Sequence, residues 1–367
     1  MSSSQTLRAG MVGGGSGSFI GKVHRHAMAL DGLYKLVAGV FSRDSAKSAA
    51  FGATLGIGES RLYTSYAEMC EAELKLPEDE RMQVVVIVTP TPDHAFAVKT
   101  FAAAGFNVVC DKPLCSNMQE ADEVLACLEK HQSSKFMLIH NYSGYPMIKQ
   151  AKCLVSDGDL GDIKKVVVEY EQGWVCESVG LSSTEGISTL ADVGTHALQL
   201  LEYVTGLHVE SVCADVATMV GGPRSPDDAN ILLRLDGGRR GVLIASQASA
   251  GMGNGLRLRV FGSKAGMLWE QEHPEQLHFM PVGAPAQKFV RGGAGLRPLA
   301  IRASRIPGGH PEGFMEAFAN LYKDFQMCCH GSLEIEPDFP TAKDGRHLLA
   351  FVEACMRSSE IEQWVKV

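Results

Sequence analysis

Three side chains in this sequence have the types and settings for proton transfer and charge stabilisation. Lys112 lies in the run Val108-Val109-Cys110-Asp111-Lys112-Pro113-Leu114. The Val-Val-Cys part reads as the end of a buried strand. Pro113 has no backbone N–H, so the ladder stops there. Lys112 is therefore presented at a strand's carboxyl end, where open α/β sheets hold their ligands. The bond before Pro113 can be cis at modest cost. Asp192 and His196 stand four apart in Asp192-Val193-Gly194-Thr195-His196, and on a helix that spacing puts both on one face. Histidine titrates near neutrality and suits a general base. A lysine ammonium suits the place where negative charge develops, and it acts more strongly in a dry site than in water. Each feature has a plainer alternative: a surface lysine before a turn proline, and a surface Asp–His pair.

These residues need elements to position them. Ala9 to Val12 reads as a strand. It is followed by Gly13-Gly14-Gly15-Ser16-Gly17-Ser18-Phe19-Ile20-Gly21 and then a helical pattern through Val23, Ala27, Met28 and Leu30. Strand, glycine loop, helix is the setting of a dinucleotide site. Gly13 would make the tight turn, and Gly15 would let the backbone approach a pyrophosphate at the helix N-terminus. The spacing departs from G-x-G-x-x-G by three residues inserted before Gly21. The next strand, Tyr34 to Phe41, ends in Ser42-Arg43-Asp44. Ser42 stands where an acid would hold a ribose 2′-hydroxyl. Helices are expected over Ala46 to Leu55 and Ser65 to Leu74. Val84-Val85-Val86-Ile87-Val88 is a β-branched run of the kind buried on both faces of a parallel sheet. It ends in Thr89-Pro90-Thr91-Pro92-Asp93-His94. A helix to about Ala104, a strand over Phe106 to Cys110, a helix over Glu120 to His131 and a strand over Phe136 to His140 follow. This alternation predicts a doubly wound parallel sheet.

After His140 the pattern changes. Helices are expected over Pro146 to Ser156 and within Ser188 to Thr205, with a strand over Lys164 to Glu171 between them. Strand-like stretches follow at Val209 to Met219, Ala229 to Leu235, Gly241 to Ser246, Leu256 to Phe261 and Met267 to Glu270. Asp236-Gly237-Gly238 reads as a hairpin turn, and consecutive hairpins mean a mostly antiparallel sheet. Gly283 to Pro311 is rich in Gly and Pro and reads as one long loop. Helices over Glu312 to Cys329 and Ala342 to Ser358 close the chain. The expected fold is an α/β domain over residues 1–140 and an α+β domain over 141–367, the second with a large, open, mostly antiparallel sheet.

Composition narrows the function. At 367 residues, 45% hydrophobic and 21% charged, the chain has the make-up of a globular protein with two cores. A net charge of -8 argues against nucleic acid or an anionic membrane as the main partner. No apolar run approaches the roughly 20 residues of a membrane span, and Met1 to Thr6 lack the regions of a signal peptide. The ten cysteines include no Cys-x-x-Cys pair, which suggests reduced thiols and a cytoplasmic location. No cluster of Cys and His has zinc-ligand spacing, so no metal is expected.

Taken together, these features resemble the Gfo/Idh/MocA oxidoreductase family over nearly the whole chain. The family's Glu-Lys-Pro motif stands here as Asp111-Lys112-Pro113, and its Asp-x-Gly-x-His helix motif as Asp192 to His196. The glycine loop is longer than the family's usual one. The Asn-Tyr-Arg-Phe that often ends its first domain is here Asn141-Tyr142-Ser143-Gly144-Tyr145-Pro146, without the arginine. Tyr142 to Pro146 and Pro307-Gly308-Gly309-His310-Pro311-Glu312-Gly313 are similar to a branch that dehydrogenates sugars, glycosides or cyclitols.

The resemblance implies a Rossmann-type first domain that binds NAD or NADP. Its cofactor contacts would come from Gly13, Gly15, Phe19 and Ile20 in the loop, and from Ser42 and Arg43 after the second strand. Thr89, Pro90, Thr91 and His94 would line the ribose and nicotinamide, with Asp111, Lys112 and Asn141 beyond them. Substrate contacts would come from Lys112, Tyr142, Trp174, Asp192, His196 and His310. For Trp174 the alternative is an ordinary buried core position. The implied reaction is hydride transfer between a nicotinamide and a ring hydroxyl or ketone, with Lys112, Asp192 and His196 catalytic. His196 would be the base and Lys112 the positive group, with a swap of these roles left open. Asp192 would orient His196 or hold a substrate hydroxyl. Ser42 offers no carboxylate against a 2′-phosphate and Arg43 can pair with one, so NADP is slightly favoured. Two other readings fit the same fold: a lyase that uses tightly bound NAD transiently, and a nicotinamide-binding regulatory protein without chemistry. The expected partner is a small polyol, and analogy suggests a homodimer or homotetramer through the C-terminal sheet.

Overall fold

In the computed structural model, which describes residues 6–177, 188–220, 225–331 and 338–367, the chain divides into two units. One is Met1–Asn141 with Phe314–Arg346, and the other is Tyr142–Gly313 with His347–Val367. The elements run β1 (Leu7–Gly13), α1 (Phe19–Leu30), β2 (Tyr34–Val40), α2 (Ser45–Thr54), α3 (Tyr66–Lys75), β3 (Val84–Val88), α4 (His94–Ala103), β4 (Asn107–Asp111), α5 (Met118–Lys130) and β5 (Phe136–Ile139). They continue with α6 (Pro146–Ser156), β6 (Ile163–Glu171), α7 (Trp174–Glu177), α8 (Thr195–Thr205), β7 (Val209–Ala217), β8 (Asp228–Leu235), β9 (Arg239–Ser246) and β10 (Gly255–Gly262). The chain ends with β11 (Ala265–Glu270), β12 (Gln276–Pro281), β13 (Gln287–Val290), α9 (Pro298–Arg302), α10 (Phe314–Cys329), α11 (Ala342–Ile361) and β14 (Val365–Lys366).

In the first unit the five strands lie parallel in the order β2-β1-β3-β4-β5. The chain leaves β1 towards β2 on one side and builds β3 to β5 on the other, so the strand order reverses between β1 and β3. Ligands of open α/β sheets bind at that reversal, outside the carboxyl ends. All five residues of β3 are buried, which is why the strand is an unbroken β-branched run. The unit differs from a single cut after residue 140 in one respect: α10 returns to it. Its Phe314 and Phe318 rings meet Phe19 and His24 of α1, and the Tyr322 carbonyl accepts from the Tyr34 hydroxyl at 2.7 Å. The apolar stripe of α10 is visible in the sequence, but a stripe does not say which surface it will cover.

In the second unit the strand order is β13-β12-β11-β10-β6-β9-β8-β7-β14. β6 and β9 run parallel and their neighbours pair antiparallel. Helices α6 and α8 pack on one face. Along β8, Ala229, Ile231, Leu233 and Leu235 are buried while Asn230, Leu232 and Arg234 are exposed, the period-two alternation of a sheet covered on one side. Asp236-Gly237-Gly238 makes the β8–β9 turn with positive φ at both glycines. Among the described residues no helix is long and apolar enough to cross a membrane.

The Gly283 to Pro311 stretch is not one loop. It contains β13 and α9, and it is fastened by Arg291, whose side chain is 1% exposed. The guanidinium pairs with Glu275 and with the buried Glu312, and donates to the carbonyls of Ile306, Pro307 and His310. Edge strand β13 is mostly exposed, so its sequence lacks the apolar alternation that marks a strand. Replacing Arg291 with Met strands the Glu312 carboxylate without its partner, a loss on the order of 3–5 kcal/mol for a buried pair. Limited proteolysis of Arg291→Met should cut within residues 303–313 where the parent resists. Equal resistance would show that the pair does not hold the loop.

Candidate active site

The glycine loop of the first unit is shaped by close backbone approach. A Cβ on Gly13, at φ +82°, would lie 2.3 Å from the Val88 carbonyl oxygen, and one on Gly15 would lie 2.3 Å from the Phe41 carbonyl oxygen. A Cβ on Gly21 would lie 2.4 Å from the Gly14 Cα. Three glycines thus let the loop lie against the ends of β2 and β3 and let α1 sit tight on it. Gly15 is demanded by the protein's own backbone as well as by any pyrophosphate. Ser18 caps α1 by accepting from the Gly21 N–H at 3.1 Å. Phe19 and Ile20 form its first turn, where free N–H groups and the helix dipole favour an anion. Arg25 donates to the Gly14 carbonyl.

Ser42 and Arg43 sit just past β2. The Ser42 hydroxyl accepts from the Asp44 N–H at 3.1 Å. Arg43 is exposed and pairs with the Asp93 carboxylate at 2.9 Å. Thr89 follows β3, and Pro90 and Thr91 enter a short 3-10 turn before α4. His94 is buried, and both ring nitrogens face backbone carbonyls, Pro113 O at 2.7 Å and Thr89 O at 2.8 Å. Its imidazole is therefore a bracket between the ends of β3 and β4, where the sequence suggested a wall for the cofactor. Two buried polar atoms at this edge have no partner among the described residues: Thr89 Oγ1 and, just after β5, Asn141 Nδ2. An acceptor and a donor buried at the carboxyl ends suit the amide and hydroxyls of a nicotinamide ribose, so these residues fit such a cofactor.

Lys112 follows β4 directly, with a cis peptide bond to Pro113. Behind it, Asp111 Oδ1 lies 3.6 Å from Nε2 of His24, a fully buried residue, and His24 Nδ1 meets the Tyr322 hydroxyl at 2.7 Å. Burial works to raise the Asp111 pKa. The His24 ring, with Lys112 and His94, outweighs it and holds the carboxyl below the usual range. His140, at the end of β5, goes the other way: burial and then the Lys112 ammonium push it down to about 3. It stays neutral at working pH and serves as no acid. His24, His140 and Tyr322 carry no sequence motif; His24 reads only as a polar interruption on the buried face of a helix.

In the second unit, Asp192 lies in a π-helical turn, Leu190–Gly194, that runs into α8 at Thr195. The expected single α-helix is therefore widened where Asp192 sits; such turns recur at functional sites. Asp192 Oδ2 accepts from Gln247 Nε2 at 2.8 Å. The His196 ring stands edge-on to Tyr142, with centroids 5.1 Å apart, and tilts against Tyr170 at 6.3 Å. The Tyr142 and Tyr170 hydroxyls bond to each other, and Tyr170 donates to Asn254 Oδ1 at 2.7 Å. Gln172 donates to the same oxygen at 2.9 Å and accepts from the Trp174 indole at 3.0 Å. Burial first, and the Asp192 charge after it, raise the pKa of Tyr142 and of Tyr170, so both stay protonated donors. Asp192, His196 and Tyr142 thus come together with Tyr170 and Gln247, which no motif announced. Trp174 is 39% exposed on α7, not a core residue. His310 lies exposed in the segment that Arg291 fastens, with Nδ1 3.2 Å from the Pro307 carbonyl.

Known proteins resemble this chain in sequence and fold. Residues 7–140 match the family described as "Oxidoreductase family, NAD-binding Rossmann fold", and residues 148–268 match the GFO/IDH/MocA C-terminal domain. The oxidoreductase YfiI of Bacillus subtilis is 30% identical over 97% of this chain and 95% of its own length. An oxidoreductase from Sinorhizobium meliloti of known structure is 41% identical, with a TM-score of 0.91 over 99% of this chain and 100% of that one. An inositol dehydrogenase homolog from Azotobacter vinelandii, crystallised with NADH and myo-inositol, is 33% identical, with a TM-score of 0.89 over 99% and 98% of the two chains.

The loop geometry is open to test. Ala at position 15 must displace the loop or the end of β2, so Gly15→Ala should weaken NADH binding by about tenfold or more, ~1.4 kcal/mol. Fluorescence titration reads the affinity and circular dichroism checks the fold. A folded variant with parental affinity would mean that the loop does not hold the dinucleotide.

Proposed function

This chain belongs to the Gfo/Idh/MocA family of NAD-binding oxidoreductases, and we propose that it is a dehydrogenase acting on a ring hydroxyl of a sugar, glycoside or cyclitol, or on the matching ketone. The observation that carries the reading is Lys112, set at the carboxyl end of β4 beside a half-buried, charge-held Asp111. The orphaned Thr89 and Asn141 atoms at the same edge support a nicotinamide there. The relative that holds NADH and myo-inositol makes cyclitols the first substrates to try.

Held by the glycine loop and the Thr89 and Asn141 edge, NAD would supply the hydride acceptor or donor. The protein does the rest. His196, fixed edge-on against Tyr142, accepts the hydroxyl proton. The Lys112 ammonium stabilises the alkoxide as the C–H bond breaks. Asp192, held by Gln247, receives a neighbouring substrate hydroxyl or steers the histidine. Tyr142 and Tyr170, whose protons go to each other and to Asn254, wall the histidine as neutral rings. NAD is the proposed cofactor. Arg43 is already paired with Asp93, and that carboxylate would disfavour a 2′-phosphate beside it. The slight lean to NADP drawn from Ser42-Arg43 therefore gains no support.

Self-association through the C-terminal sheet is part of the same proposal. The strand register puts Leu232, Phe261, Met280 and Val290 on one face, each more than a third exposed. Helices α6 and α8 pack on the buried side of the sheet, and light scattering reads the mass.

The test is a screen of sugars and cyclitols with NAD+ and NADP+, read at the reduced-nicotinamide absorbance. On the substrate it finds, Lys112→Met and His196→Gln should each lower kcat by about 10²- to 10⁴-fold while cofactor affinity holds. The double variant should cost far less than the product of the two losses, because groups proposed to serve the same step are not additive. Near-parental turnover in either single variant would remove that residue from the mechanism.

A further inference from the structure

Away from these residues, α8 ends in a second cluster of chemistry-bearing side chains. Glu202 lies in its last turn, six residues after His196 and so about 9 Å further along the axis. Gly206, at φ +65°, then turns the chain back, which brings His208 and the start of β7 over the helix end. Glu202 Oε1 accepts from the Val209 N–H at 3.0 Å. The same oxygen lies 2.9 Å from Nε2 of His347 on α11. Its other oxygen is 3.6 Å from Nδ1 of His208. The two imidazoles meet edge to face with centroids 5.8 Å apart. One ligand atom from each residue fits within 4.8 Å of the other two.

We propose that Glu202, His208 and His347 form a binding site for a divalent transition-metal ion of the zinc type. Zinc bonds to imidazole nitrogen and carboxylate oxygen at about 2.0–2.2 Å, which puts tetrahedral ligand atoms about 3.3 Å from one another. The two Glu202 separations, 2.9 and 3.6 Å, bracket that value. Small adjustments close the site, and His208, largely exposed, has the freedom to make them. The backbone on either side of the cluster is already fixed: the His208 N–H donates to Asp236 at 2.8 Å, and Val209 holds the carboxylate. Such outer contacts orient a ligand before the ion arrives. Two imidazoles and one carboxylate select zinc, nickel or copper over magnesium and calcium, which take oxygen donors. Three protein ligands leave a fourth position for water or an added anion. The ion would join α11 to the α8–β7 junction, two segments far apart in the chain, and so would stabilise the second unit.

The experiment uses the full chain, stripped with a chelator and titrated with zinc chloride by calorimetry and by thermal unfolding. The parent should take up one ion that His208→Ala and His347→Ala do not, and its unfolding temperature should rise with zinc and not with magnesium or calcium. Losing a ligand should weaken binding by at least about 10- to 100-fold, the range already seen when outer-contact residues are removed. His208 is exposed, so His208→Ala tests the ligand without disturbing the fold. Parental affinity and stoichiometry in both variants would place zinc elsewhere, on the thiols for instance, and overturn the proposal. So would a parent that takes up no zinc.

Discussion

A carboxylate half-buried at the end of an apolar sheet keeps its charge only if something offsets the desolvation, and Asp111, its side chain 14% exposed, is that carboxylate. His24, itself fully buried and anchored by the Tyr322 hydroxyl, stands 3.6 Å away and does so. Asp111 is the last residue of β4 and Lys112 is the next, so whatever fixes the acid fixes the root of the lysine. His94 completes the hold by tying the Thr89 and Pro113 carbonyls together. The return of α10 to the first unit follows from the same need, because Tyr322 lies on α10. Through Tyr322, α10 anchors the His24 ring that stands by Asp111.

The second unit solves a different problem: holding the His196 imidazole in place. Its means are aromatic edges and a chain of hydrogen bonds. Tyr142 and Tyr170 wall His196, and Asn254, Gln172 and Trp174 extend the chain away from it. The two phenol rings are neutral, so they fix the geometry of the ring without adding charge. Asp192 brings the negative charge, and the π-helical turn sets where it points.

Most of this frame is legible in the sequence because it follows from periodicity. β3 is an unbroken β-branched run and was found to the residue, and Asp236-Gly237-Gly238 could only be a turn with positive φ. What escaped was what periodicity does not encode. β13 is an exposed edge strand with no alternation, so the segment around it read as loop. His24 and Tyr322 are single residues whose meaning appears only when α1 and α10 meet. His94 looked like a ligand contact because it ends a strand motif, yet both its nitrogens serve the backbone. Glu202 and His208 share one junction, but His347 lies far along the chain, so no spacing rule could gather all three. The extra residue in the turn at Leu190–Gly194 shifts nothing in composition and leaves the apolar pattern of a helix intact.

The central claim is that the Asp111 charge sets the lysine for its work, and the hydride-transfer step of Asp111→Asn tests it most directly. Asparagine keeps the shape and removes the charge that His24 and Lys112 answer. Stopped-flow reduction of bound NAD+ on the substrate found by screening should slow by at least about tenfold, ~1.4 kcal/mol in the barrier. NADH affinity should stay near that of the parent. Hydride transfer at the parental rate in a folded Asp111→Asn protein would contradict the account.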